Sequence, residues 1–153
     1  MESSKKGIDR YSTFGLRDEW LPMIFTHEER WYERNNLGPV QVKAVRSWLA
    51  DAGLIVKKGT TPLFRRIREL YFLEPVAAWQ ILWVNLYHGS PIVKLFCDHV
   101  GFDDYLDKNG VIETIRADLG DLKDSTIKNP VSALINMFEN SRLGAILSMG
   151  KTR

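Results

Sequence analysis

The chain has one cysteine, Cys97, in 153 residues. An intramolecular disulfide is therefore impossible, which excludes a disulfide-stapled secreted scaffold and fits a reducing cytoplasm. The N-terminal MESSKKGIDR has no apolar stretch of the kind a secretory signal requires. The most apolar run, Pro75 to Tyr87, falls short of the ~20 residues that cross a bilayer, and Gly89-Ser90-Pro91 follows it. The expectation is a cytoplasmic protein with no membrane partner. Internal repeats, low-complexity tracts and a glycine-rich phosphate loop are also missing. The histidines, His27, His88 and His99, are scattered, and metal-ligand types cluster only at Cys97-Asp98-His99. A structural zinc takes about four such ligands, so Cys97 is expected to pack as a small hydrophobe, and neither a metal nor another cofactor is implied.

Charge of one sign is also scarce overall. The formal net charge is +2, so a global polyelectrolyte reading fails and any nucleic-acid role must rest on where the charge sits. From Val40 to Arg68 there are seven basic side chains (Lys43, Arg46, Lys57, Lys58, Arg65, Arg66 and Arg68) against Asp51 alone. That stretch carries +6 and the remainder of the chain −4. Hydrophobic residues make up 44%, with five Trp, seven Phe and five Tyr, enough to build a substantial core.

The basic stretch lies inside Leu37 to Arg68, which reads as an amphipathic helix, a glycine stop, a short strand, a basic turn and a second basic segment. Gly38-Pro39 starts the helix, with Pro at a favoured first position. At about 100° per residue, Val42, Val45, Trp48, Leu49 and Ala52 share one arc, and Gln41 falls on that apolar side. Lys43, Arg46, Ser47 and Ala50 point the other way. Gly53 ends the helix. Leu54-Ile55-Val56 reads as a strand, Lys57-Lys58-Gly59-Thr60-Thr61 as the turn, and Pro62-Leu63-Phe64 as a return strand limited to an edge by its proline.

This is the outline of a helix-turn-helix recognition helix followed by a wing. The first helix of the pair is expected from about His27 to Glu33, with Thr26 as its N-cap. In such a unit Lys43, Arg46 and Ser47 face base edges in the major groove of duplex DNA. Lys57, Lys58, Arg65 and Arg66, with Thr60 in the wing, meet phosphates. The competing readings are a solvated charged face and a winged helix turned into a protein-protein module.

Elsewhere, residues 1–12 read as a loose tail apart from Tyr11, 13–70 as the winged-helix-like region and 71–153 as a helical region packed on it. Phe14, Leu16, Trp20 and Leu21 are the first core anchors, and Arg17 among them is either a surface charge or a specific contact. Helices are expected at Pro75 to His88, Ile92 to Val100, Val111 to Leu119 and Ser125 to Asn140, with Pro130 in the first turn of the last, then a short apolar end from Leu143 to Met149. The first is apolar on almost every face, which predicts burial all round, and makes Trp79 and Trp83 core rather than a base-stacking platform. Asp103, Asp104, Asp107, Asp118, Asp121 and Asp124 offer the one hydrolytic alternative, a magnesium-dependent nickase. A solvated acidic loop with helix caps is the plainer reading.

Several landmarks together resemble an uncharacterised bacterial domain family (SspB-like) found beside sulfotransfer enzymes of the PAPS-reductase type in DNA phosphorothioation and defence clusters. They are Thr13-Phe14 with Leu16-Arg17 and Trp20-Leu21, then Leu37-Gly38 and Val45-Arg46-x-Trp48-Leu49 with Gly53-Leu54-Ile55. Trp79, Trp83, Leu86-Tyr87-His88 and Phe96 follow, and Phe138-Glu139-x-Ser141-x-Leu143-Gly144 closes the set. Arg142 stands where the family tends to have proline. The resemblance implies a DNA-binding component that recruits a sulfur-transfer, ATPase or nuclease partner to duplex DNA, with Lys43, Arg46, Lys57 and Lys58 as contacts. The expected fold is mainly α with a small β wing: a winged helix-turn-helix-like N-terminal half and a helical C-terminal half.

Overall fold

Proline is the first residue of half of the α-helices. A computed structural model describes residues 7–57, 59–101 and 106–147. Among them run α1 (Leu21–His27), α2 (Pro39–Asp51), α3 (Pro62–Leu73), α4 (Pro75–Gly89), α5 (Pro91–His99), α6 (Lys108–Leu119), α7 (Asp124–Glu139) and α8 (Arg142–Ile146). Four of these open on Pro at their first residue, where its missing N–H costs nothing and its fixed φ is already helical. The β structure consists of β1 (Ile55–Val56) and β2 (Gly59–Thr60), antiparallel with Ile55 opposite Thr60 and Val56 opposite Gly59. The described protein is mainly helical with one small two-stranded sheet, and no helix in it is long and apolar enough to cross a membrane.

Helix α2 forms where its periodicity places it. Ala44, Val45, Trp48 and Leu49 are buried, and Lys43, Arg46 and Ala50 are exposed. At its end, Gly53 takes φ +78°, a left-handed conformation that glycine adopts without penalty. The N–H of Leu54 then reaches the Leu49 carbonyl at 2.9 Å and that of Gly53 the Ala50 carbonyl at 3.0 Å. This is a Schellman closure, and both of its leucines are fully buried.

Four expectations are corrected. The helix expected from His27 to Glu33 lies earlier, as α1, whose Leu21, Ile24 and Phe25 are buried at i, i+3, i+4 spacing. Thr26 is inside it, Glu28 breaks it at φ +51°, and Glu28–Arg30 is one 3₁₀ turn. Pro62-Leu63-Phe64 is not a strand. Thr61 is extended, Pro62 is the first residue of α3, and the inward period of Phe64, Ile67 and Tyr71 decides for helix. Pro130 sits mid-helix, well inside α7, and is buried there; the ring removes one backbone hydrogen bond and presses on the preceding turn. The start of the described chain is packed at more than the excepted Tyr11: Ile8 is fully buried too, and the Tyr11 ring stacks on Trp48 at 3.7 Å. Met1 to Lys6 and the segment after Leu147 lie outside the described residues.

One continuous core joins both halves. Helix α4 packs against α2, α3, α5 and α8. Trp79 is fully buried, and Trp83 meets Phe138 at 5.7 Å and Phe96 at 6.4 Å, edge to face. Trp79 is thus core, and the half-buried Trp83 packs against that core. Burial of α4 all round is not observed, because Val76, Ile81 and Val84 stay exposed. Gly15 passes so close to the backbone of Ala133 and Met137 that no Cβ fits. Asn136 Nδ2 donates to the Thr13 carbonyl at 2.6 Å, and Trp48 Nε1 to that of Phe14 at 2.8 Å. The segment from Tyr11 to Trp20 is therefore wedged between α2 and α7.

Asp18 lies at the centre of this packing. Its Oδ1 accepts from the Tyr71 hydroxyl at 2.9 Å and from Trp79 Nε1 at 2.8 Å, and its Oδ2 from the Arg142 backbone N–H at 2.6 Å. One carboxylate thus joins the N-terminal segment to α3, α4 and α8. Asp18→Ala leaves two part-buried donors and one exposed donor without this acceptor and is expected to cost about 2 kcal/mol, read as a lower urea midpoint at constant m-value.

Burial, the bond to Asp18 and its charge push the Tyr71 phenol up to about 12. The folded state thus holds this proton above the free-tyrosine value of about 10. The associated stability is complete below pH 10 and is lost as pH rises toward 12. Tyr71→Phe should flatten that fall in a urea titration; Tyr11, raised in the same direction by burial, accounts for what remains.

Candidate nucleic-acid interface

The outward face of α2 begins at its cap. The Gly38 N–H donates to Gln41 Oε1 at 3.2 Å, the reciprocal half of a capping box. Gln41 therefore ties off the helix start, in keeping with its place on the inner side. The exposed Lys43 and Arg46 follow one turn apart. The Arg46 guanidinium lies over the Tyr32 ring, 5.6 Å from its centre, a cation–π geometry that limits where the charge can point. Tyr32 is held in turn by Asn35, whose Nδ2 donates to the carbonyls of Trp31 at 2.8 Å and Tyr32 at 2.9 Å, and whose Oδ1 accepts from the Leu37 N–H at 2.9 Å.

The proposed contact residues separate into two groups. Arg46, Lys57 and Thr60 line one shallow depression together with Tyr32 and Glu29. Lys57 is at the tip of the β1–β2 turn with φ +53° and is exposed. Thr60, Arg65 and Arg66 line a second, open groove, and Glu28, Glu29 and Glu69 line it as well. Arg68 is paired with Glu28. The basic stretch of the sequence is therefore divided in space: Arg46 and Lys57 share their depression with Glu29 alone, whereas Arg65 and Arg66 share theirs with Glu28, Glu29 and Glu69, and Lys43 lines neither. Ser47 is half-buried, and its hydroxyl lies 3.2 Å from the Lys43 carbonyl and 3.3 Å from the Arg10 carbonyl, both acceptors. It is turned toward the protein more than periodicity alone implies. Lys58 lies outside the described residues.

Asp51, the one acid of the stretch, is removed from this face. Its carboxylate is 5% exposed, accepts from Arg10 at 2.7 Å and takes a hydrogen bond from the Tyr11 hydroxyl. That hydroxyl also sits 2.8 Å from Ser90 Oγ. Burial raises the Asp51 pKa against the lowering effects of Tyr11 and Arg10. Arg10, Tyr32 and the three glutamates escaped sequence reasoning. Nothing in the order of residues shows that α3 turns Glu69 toward the 3₁₀ turn that carries Glu28 and Glu29.

The acidic residues considered for a metal are engaged elsewhere. Asp118 pairs with His99 at 2.6 Å, Asp124 with Arg116 at 2.8 Å, and Asp107 caps α6 through the Gly110 N–H at 2.8 Å. Asp103 and Asp104 lie outside the described residues. Among the described residues no group of three or more His, Cys, Asp and Glu side chains is placed to hold a metal ion together. Burial, and then the charge of Asp98, pushes the Cys97 thiol up to about 11, so it stays protonated and weakly nucleophilic at neutral pH. No family model, curated protein or solved structure matches the chain.

Gln41→Ala is expected to remove about 1 kcal/mol through loss of the cap, lowering Tm by roughly 2–4 °C in a calorimetric scan.

Proposed function

We propose that this protein is a DNA-binding component of a bacterial DNA-modification system of the phosphorothioation type, or of a phage-defence system. It positions an enzyme partner, of the sulfur-transfer, ATPase or nuclease kind, on duplex DNA. In this reading α2 and the β1–β2 hairpin act as a recognition helix and wing. The observation that carries it is the joint exposure of Lys43 and Arg46 on α2 with Lys57 on the adjoining hairpin tip, three cations against the single acid Glu29 of their depression, with Asp51 turned inward. Cations grouped on a helix face and wing of this size suit a major groove and its flanking phosphates. Arg65, Arg66, Thr60 and Ser47 have a secondary part, the arginines because Glu28, Glu29 and Glu69 share their groove.

A second reading, a protein-interaction adaptor that touches no DNA, is favoured by those glutamates and by the exposed apolar residues of α4. A magnesium-dependent nickase is the third, and the ion pairs of Asp118 and Asp124 weigh against it.

Duplex binding separates the first two. A Lys43→Ala/Arg46→Ala/Lys57→Ala variant is expected to bind a duplex at least about tenfold more weakly near 100 mM salt. Its log–log salt slope should fall by roughly 0.9 for each phosphate that the variant no longer neutralises. Arg65→Ala/Arg66→Ala should change affinity by less than about threefold, since glutamates already offset those charges. Equal isotherms and slopes for wild type and the triple variant, measured by fluorescence anisotropy, reject DNA binding in favour of the adaptor.

A further inference from the structure

Arginines near α2 are held in different ways. Arg10 spends its guanidinium on the protein: Nε donates to the Gly7 carbonyl at 2.8 Å and Nη2 to Asp51 at 2.7 Å. Arg68 spends its own on Glu28. Arg46 is exposed and, although Glu29 lines the same depression, pairs with no carboxylate among the described residues. What holds it is the Tyr32 ring, whose centre is 5.6 Å from the guanidinium carbon. An aromatic ring covers the flat face of a guanidinium, while the five N–H donors lie in its plane and point out from the edge. Arg46 is therefore restrained without losing its donor fork. Lys43, one turn earlier, is a point charge on a flexible stem and has no fork to aim.

The cushion beneath Arg46 is itself fixed. Tyr32 is half-buried and follows Trp31, which is 2% exposed. Asn35 closes the turn behind it through the carbonyls of Trp31 and Tyr32 and the N–H of Leu37. Upstream, Glu28 takes φ +51° and ψ −124°, a combination that is costly for a residue with a Cβ and persists only where the surroundings impose it. Here they do: the Glu28 side chain is clamped to Arg68 of α3, and its carbonyl accepts from the Trp31 N–H at 3.2 Å. A merely solvated arginine needs no such support, whereas one that must meet a ligand in a single orientation does.

A guanidinium held by its face and open at its edge suits a planar ligand with two adjacent acceptors. Among base edges in the major groove, guanine offers that pair, O6 and N7. A phosphate also accepts two hydrogen bonds, but Arg46 has a point charge on either side to serve it, Lys43 along α2 and Lys57 across the depression. We propose that Arg46 sets sequence preference by reading one guanine edge, and that Tyr32 is its positioning residue. The assignment rests on α2 meeting duplex DNA, and adds which residue discriminates and what it selects.

The test is binding to a duplex pool randomised over one helical turn, ~10 bp, with the bound fraction sequenced at about 100 mM salt. Wild type should enrich guanine about tenfold at one position, the size expected of a bidentate contact. Arg46→Lys keeps the charge but removes the fork, and should abolish that enrichment. Tyr32→Leu should reduce it about threefold with little change in salt slope, whereas a disrupted fold lowers both. Tyr32→Phe keeps the ring and should retain the enrichment. Salt-dependent binding by wild type with no guanine enriched overturns the proposal and leaves the DNA reading standing, because Arg46 then meets phosphate. Enrichment that survives Arg46→Lys overturns it too, as does enrichment that Tyr32→Leu leaves intact. A wild type that binds no duplex overturns both.

Discussion

The carboxylate of Asp18 is the tie on which the arrangement of the helices depends. It stands near the start of the described chain yet takes a phenol from α3, an indole from α4 and a backbone N–H at the start of α8. Hydrogen bonds to an ionised acceptor are about twice as strong as neutral ones, and three donors leave little of the charge unsatisfied. Direction matters as much as strength here. Apolar contacts set no unique rotation of α3 and α4 about the N-terminal segment, whereas Tyr71 and Trp79 reach Asp18 in one orientation. Arg142 uses its backbone N–H in this tie, a bond that proline at the same position could not make.

A second buried polar group fixes α2. Tyr11 stacks on Trp48, and its hydroxyl bridges Asp51 on α2 and Ser90 at the junction of α4 and α5. Gly89 lies so close to the Asp51 carbonyl that a Cβ cannot fit. The C-terminal end of α2 is therefore anchored from three directions, while its opposite face, with Lys43 and Arg46, stays in solvent. Anchoring one side of a helix and leaving the other free is what a recognition element needs, since a rigid scaffold lowers the ordering cost of contact.

Much of the helix order was legible in the sequence, because local chemistry dictates it. Pro39, Pro75 and Pro91 can open a helix but not continue one, and Gly53 can take the left-handed conformation that ends α2. Where two local rules competed, sequence alone chose wrongly. Pro62 suits both an edge strand and a helix start, and the inward packing of Phe64, Ile67 and Tyr71 settled it. Thr26 had the right chemistry for a cap, yet the burial of Ile24 and Phe25 placed it inside α1. In α4 a composition apolar on all sides promised complete burial, but burial depends on how many neighbours a helix has, and part of α4 has none.

The candidate interface shows the same division. Sequence by itself determined that positive charge concentrates between Val40 and Arg68, that Lys43 and Arg46 share the outer side of a helix, and that Gln41 belongs to the inner side. These follow from a fixed rotation per residue. Tertiary structure decided which of those cations keep a free field. It brought Glu28, Glu29 and Glu69 beside Arg65 and Arg66 and only Glu29 beside Arg46 and Lys57, laid Arg46 over Tyr32, and drew Asp51 inward to Arg10 and Tyr11. Periodicity describes one element, whereas the electric field at a surface sums over every element folded next to it. No count along the chain supplies that sum.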